Sequence, residues 1–412
     1  MKFLRYKQYM IGLLALSLFA SCDFEKINTN EFEMLPEEGK MDGISVGGPI
    51  TALQKCVVPV GTQDDGTNVA NEYQVAYHLA ADCWSGYFAQ NNNWNSGRNN
   101  LTYFLMDGWV SASYTSAYTK VIPLWQDIKI KTEKDFPEAY ALAQILKVST
   151  WHKATDMFGP IPYKEAGKGL ISVPYDSQAD VYKRMFEDLT NAIGVLTNAL
   201  EHGTTKLLPN ADAVYGGNVK KWIVYANSLM LRLAMRVYYA DEAMSKKYVL
   251  QAVNNPYGVM QSKDDEAKME KGAGLTFINN IEILSNQYNE CRMGSSMQAY
   301  LGGYEDPRLP KYFTESEAYY AQDLGQYGKY LAVPTGNITE QNDVYKMASR
   351  PNVTKTTATY WMRASEVYFL LAEAALHGIS VNGSAEDLYR KGIAMSFEEN
   401  GIPASEVDSY MN

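Results

Sequence analysis

Lys221-Trp222-Ile223-Val224-Tyr225-Ala226-Asn227-Ser228-Leu229, running on to Arg232-Leu233-Ala234-Met235-Arg236, sets Trp222, Tyr225, Ala226, Leu229 and Leu233 three or four residues apart. That spacing makes one apolar stripe on a helix, and the stripe must be buried on a neighbour. Upstream, Pro137 opens a run in which Leu142, Ile145, Leu146 and Ser149 follow at helical spacing until Gly159-Pro160 ends it. Tyr182, Met185, Phe186, Leu189, Ile193 and Leu196 predict a second long helix, with Gly203 as its stop. Downstream, Val367, Leu370, Leu371 and Ala374 predict another, closed by Gly378, and Glu386 to Met395 one more. Helices that each carry one stripe predict a mainly α scaffold of helical hairpins.

Two stretches break the pattern. Residues 60–118 and 255–358 are rich in Asn, Gly, Tyr and Pro and lack helical periodicity. Excursions of that length are either functional or disordered, and the aromatic content argues against disorder.

The N-terminus has its own logic. Lys2, Arg5 and Lys7 precede an apolar run from Met10 to Ala20, eleven residues long. At about 1.5 Å per residue this falls short of a membrane core roughly 30 Å thick, so it predicts a signal segment and not a span. Leu18-Phe19-Ala20-Ser21-Cys22 resembles a bacterial lipobox, with Phe19 where Leu is commoner. The expected organisation is a signal peptide over residues 1–21, a lipidated flexible tether from Cys22 to residue 43, and a single domain over residues 44–412. Two or more acyl chains on Cys22 would hold the protein stably on a membrane. Acidic residues after the cysteine (Asp23, Glu25, Glu31) resemble surface-export signals of Gram-negative Bacteroidota.

Setting aside residues 1–21 reduces the 37 basic residues to 34 against 47 acidic ones, a net charge of −13. An acidic chain lacks the basic footprint that nucleic acid or an anionic lipid surface requires. Cys56, Cys83 and Cys291 show no CxxC pairing and leave open either a Cys56–Cys83 disulfide or three buried thiols. The four histidines (His78, His152, His202, His377) begin no HExxH motif, and there is no GxxxxGK[ST] phosphate loop, so no cofactor and no metal ligand is assigned, and a calcium site is not readable from the sequence. Gly43-Ile44-Ser45-Val46-Gly47 matches the GxSxG nucleophile elbow but follows an acidic tether instead of a buried strand. No catalytic residue is assigned.

The helix quoted first also resembles the KW-x-x-x-A-N-S-L-x-x-R-L-A-x-R motif of the SusD/RagB family. Three further segments fit, in order. Thr155-Asp156-Met157-Phe158-Gly159-Pro160-Ile161-Pro162-Tyr163 is similar to its F-G-x-I-P-Y segment, Asp306-Pro307-Arg308-Leu309 to its D-P-R-L turn, and Tyr360 to Ala374 to its R-x-x-E helix with A-E-A. The resemblance implies tetratricopeptide-like helix pairs with a long loop-rich ligand-binding face. It implies a non-enzymatic outer-membrane lipoprotein that captures oligosaccharides for a SusC-type TonB-dependent transporter. A surface lipoprotein for peptide or protein ligands is the alternative, and a surface glycosidase comes third. The family pattern continues past this point, so the resemblance also implies a C-terminus truncated at Asn412. Trp222, Arg232, Arg236, Glu366 and Glu373 are expected to pair and cap between helices, without a functional role.

Sugars present apolar C–H faces and a rim of hydroxyls, which aromatic rings and amides complement. Six Asn between residues 91 and 100 beside three Trp meet that need. The candidate ligand residues are Trp94, Asn91, Asn92, Asn93, Asn95, Arg98, Tyr87 and Tyr103, with Trp109 in the wider segment. Trp94, among polar neighbours, is the expected stacking platform and Trp84 the expected core residue. Asn279, Asn280, Tyr288, Asn289 and Tyr304 form a second candidate patch.

Overall fold

In the computed structural model the described residues are 44–60, 69–270, 277–317, 328–338 and 341–411. Cys22 and the expected signal peptide and tether lie outside them. Residues 46–412 cluster as one compact unit. The longer helices are α1 (Ile44–Val57), α2 (Ile122–Thr132), α3 (Pro137–Phe158), α4 (Gln178–Glu201), α5 (Val219–Arg236), α6 (Glu242–Val253), α7 (Ala364–Leu376), α8 (Ala385–Glu399) and α9 (Ser405–Met411). No helix among the described residues is long and apolar enough to cross a membrane.

Local chemistry sets the ends. Pro137 occupies the first turn of α3, and Gly159 at φ +74° closes it. The Ser177 and Asn218 side chains accept from the Asp180 and Lys221 amides and so cap α4 and α5. Packing runs in sequence: α2 on α3, α3 on α4, α4 on α5, α5 on α6, then α7 on both α5 and α8. This is the expected tetratricopeptide-like helical array. α3 sits in the middle and is buried almost all round, from Ala139 to Thr155, which is why its sequence carries so little polar face.

The motif residues explain themselves as joints. Trp222 is fully buried, and its Nε1–H donates to Asp212 (2.8 Å). Arg232 forks onto Glu366 (2.6 and 2.7 Å) and also donates to the Trp361 carbonyl (3.0 Å), locking α5 to the start of α7. Arg236 pairs with Asp156 on α3 at 2.9 Å. Glu373, by contrast, stands exposed. The D-P-R-L turn is a tether: Arg308 holds Asp306 at 2.9 and 2.5 Å and reaches Ser396 on α8 at 2.9 Å. Ser45 lies exposed in the first turn of α1, which is not the strand-to-helix setting of a nucleophile elbow. Cys56, Cys83 and Cys291 are all free thiols.

Two short antiparallel ribbons complete the fold. β2 (Ala267–Met269) pairs with β4 (Thr359–Met362), which runs directly into α7. β1 (Phe88–Gln90) pairs with β3 (Cys291–Met293), joining the two excursions across some 200 residues of chain.

Candidate ligand-binding site

The β1–β3 ribbon organises everything that follows. Its register sets Phe88 opposite Met293 and Gln90 opposite Cys291, so the segment after Gln90 runs beside the one before Cys291. The first predicted patch and Asn289 of the second therefore meet, while Asn279 and Asn280 bond elsewhere. Asn91 donates to the Asn289 carbonyl and to Asp343 (both 3.3 Å) and accepts from the Tyr345 amide (2.8 Å). Asn289 in turn donates to Asp343 (2.6 Å) and accepts from Arg292 (2.5 Å) and Arg350 (2.9 Å). Arg292 is completely buried, and burial beside Arg350 pulls its guanidinium down to about 10.

Most of the predicted amides are thus committed to the loop itself. Asn91 is fully buried, and Asn95 donates to the Arg98 carbonyl (2.6 Å). Asn99 caps a short turn, and Asn100 accepts from the Met106 amide (2.8 Å). The Asn93 backbone N–H donates to the Asn342 side chain (2.9 Å). Asn92 is half-buried against Glu290, whose carboxyl burial raises to about 7. Asn279 caps the helical turn that starts at Asn280, and Asn280 donates to the Pro59 carbonyl; both are buried. Among the predicted polar residues, Arg98 and Asn95 stand exposed. Tyr288 is half-buried.

The aromatic residues divide differently from expectation. Trp94 is half-buried and meets Trp109 edge-on (5.5 Å, 86°). Trp84 is not a core residue: it is 39% exposed, its Nε1–H donates to the Asn100 carbonyl (2.8 Å), and its ring stacks on Tyr103 (6.2 Å, 12°). The cause is the fold-back of residues 91–103, which carries Tyr103 onto the outer face of the indole. Tyr103 itself is 74% exposed, with Phe104, Leu105 and Tyr87 exposed nearby in sequence. From the same end of the ribbon as Tyr87, whose carbonyl accepts from Gly294, the chain continues to Tyr300 and Tyr304. These two exposed rings stack at 6.3 Å and 18°. Tyr300 was not singled out from sequence, although its four-residue spacing from Tyr304 is the signal that could have found it.

Backbone strain marks the same region. Of the seven described non-glycine residues with positive φ, six (Asn95, Ser96, Tyr103, Asn289, Glu305, Asp343) lie in these excursions, with only Leu208 elsewhere. Left-handed conformations persist in L-residues where the surroundings enforce them, and they gather at ligand-binding sites. The result is a rigid ledge, bonded internally through Asn91, Asn289, Asp343 and two arginines, that presents open aromatic rings outward. No group of His, Cys, Asp or Glu among the described residues is arranged to hold a metal ion.

A family profile described as SusD-like, SusD and RagB outer membrane lipoprotein, matches residues 26–412. The solved structure of BT1043 superposes with a TM-score of 0.81 at 34% identity, covering 89% of this chain and 72% of that one. A chitin-binding SusD homologue from Flavobacterium johnsoniae gives 0.81 at 33% identity, over 88% and 72%. A SusD homologue from Bacteroides vulgatus gives 0.81 at 29%, over 90% and 74%. No curated protein matches the chain closely enough to add a further relative.

Proposed function

We propose, because this chain belongs to the SusD-like family of outer-membrane lipoproteins, that it captures oligosaccharides at the cell surface and passes them to a SusC-type TonB-dependent transporter. The observation that carries this reading is the pair of exposed stacked aromatics, Trp84 on Tyr103 and Tyr300 on Tyr304, set on a strained and internally bonded ledge. Open ring faces in water are otherwise a solubility cost, and the C–H faces of pyranose rings are what they best cover. Tyr87 and Tyr103 stay in the candidate site, with Trp84 and Tyr300 added; Arg98, Asn95, Asn92 and the tyrosine hydroxyls supply hydrogen bonds to sugar hydroxyls. Trp94 enters through the edge it leaves beside Trp109. Asn91, Asn93, Asn289 and Asn279 act as scaffold. The chitin-binding relative supports a glycan ligand. The site binds and releases its ligand and does no chemistry on it.

Cys22 is the proposed lipid anchor. Cys22→Ala is expected to leave the outer-membrane fraction, and its retention there would refute the anchor. Pull-down of the mildly solubilised protein should recover a large TonB-dependent barrel; recovery of only soluble partners would refute the partnership. A glycan array tests the ligand class, with selective retention of oligosaccharides expected and retention of peptides alone refuting it.

A further inference from the structure

The π-helical stretch Gln74–Asp82 lines a cavity of about 430 Å³, none of whose walls is a ring of the aromatic ledge. That volume falls in the range of small-ligand pockets, and π-helical turns are frequent at functional sites. Its walls include Tyr77 and Asp82 from this stretch, Tyr73 just before it, Lys153 from α3, Asn280, and Tyr360 from β4.

Lys153 is the odd group in it. The ammonium donates to the Val57 carbonyl at the end of α1 and sits 5.2 Å from the centroid of the Tyr77 ring. Among the described residues no carboxylate lies within ion-pair distance of it. Asp82 shares the cavity but is engaged by the Tyr73 hydroxyl (2.8 Å) and by His78 (3.4 Å). The neighbouring cation, Arg232, already has Glu366. Asn280, 3% exposed, spends its amide on Pro59 and leaves its Oδ1 without a partner. A half-buried cation without a carboxylate and a buried amide oxygen without a donor are groups that a ligand of complementary chemistry would satisfy.

We propose that this cavity binds a monosaccharide-sized carboxylate, a uronic acid being the simplest, with its carboxylate on Lys153 and a ring hydroxyl donating to the Asn280 oxygen. The site stands apart from the aromatic ledge, so a chain that binds neutral oligosaccharides there could bind an acidic sugar here, and either can fail alone. Burial first, and Arg232 second, pull the Lys153 ammonium down to about 7. The other groups facing it do not supply the missing charge: burial raises the Cys56 thiol to about 11 and the Tyr77 hydroxyl well above its ordinary value, so both are neutral. Asp82 and the Arg232–Glu366 pair complete the charged surroundings. A carboxylate would favour the charged ammonium, so binding should take up protons near neutral pH and be tighter at pH 6 than at pH 8.5.

The test titrates sodium glucuronate, glucose and sodium sulfate into the purified protein by calorimetry, comparing wild type with Lys153→Met and Lys153→Arg. Glucuronate should bind at least about tenfold tighter than glucose at pH 6, as a charge-assisted contact predicts. Lys153→Met should remove that preference, and Lys153→Arg should keep it at pH 8.5, where the wild type has lost most of it. Equal binding of glucose and glucuronate, or an unchanged preference in Lys153→Met, would overturn the proposal. Sulfate binding as tightly as glucuronate would overturn the carboxylate assignment. If Lys153→Met does not fold, the pH dependence decides alone: a glucuronate preference constant from pH 6 to 8.5 in both wild type and Lys153→Arg would overturn it.

Discussion

Replacing Tyr103 by glycine and, separately, by alanine isolates a ring whose function and backbone strain can be measured independently. Tyr103 sits at φ +57° and ψ +20°. An L-residue there costs roughly 1–2 kcal/mol, which glycine avoids. Glycine gives back about 0.5–1 kcal/mol through the entropy of the unfolded chain. Both variants lose the stack on Trp84, which for a ring 74% exposed is worth about 0.5 kcal/mol, the low end for aromatic pairs. Tyr103→Gly should therefore be within about 1 kcal/mol of wild type, and Tyr103→Ala less stable than Tyr103→Gly by about 0.5–1 kcal/mol. Binding should follow another pattern. Losing one stacking face costs about 1–3 kcal/mol, or roughly five- to a hundredfold in affinity, and does so equally in both variants. Urea titration and calorimetry with an oligosaccharide retained by the wild type make the comparison. If Tyr103→Gly binds as wild type does, the ring is no platform. If it instead loses about 3–5 kcal/mol of stability, as a truncated core aromatic would, the exposure argument fails.

Asn91→Ala removes the acceptor for the Tyr345 amide and both donors to the 289–343 cluster, and should cost about 2–4 kcal/mol. Faster hydrogen exchange at residues 343–346 should accompany it; unchanged exchange there would refute the clamp. Glu366→Ala strips the partner from Arg232, which should cost about 2 kcal/mol, less than a fully buried pair because Glu366 is part-exposed. Chemical denaturation measures this, and a loss below about 0.5 kcal/mol would place the pair among inert surface bridges. Burial raises the Glu290 carboxyl to about 7, so the folded chain holds that proton more tightly than the unfolded chain does, and stability from this group falls as pH rises through 7. Glu290→Gln should match wild type in melting temperature near pH 5 and exceed it at pH 8; parallel pH profiles would refute the assignment.

The helical scaffold was legible because its determinants are local. The stripe from Trp222 to Leu233, the Pro137 start and the Gly159 and Gly378 stops each act within a few residues, and each falls where the periodicity places it. The four family motifs were legible for the same reason, since they lie on those helices and their joints. The ledge was legible only as composition. Its two strands have three residues each, too short for any periodicity, and they pair across some 200 residues. Hence nothing in the run from Asn91 to Asn100 could distinguish an amide that faces ligand from one that bonds Asp343 or Tyr345. Arg292, Arg350 and Asp343 drew no notice for the same reason. The settings of Trp84 and Trp94 depend on this most. Neighbours in sequence suggest a core Trp84 and an open Trp94, whereas burial is set by neighbours in space: residues 91–103 fold back to put Tyr103 on Trp84 and turn Trp94 against Trp109. Helix and cap follow from chemistry a few residues apart; which ring meets water follows from where distant chain comes to rest.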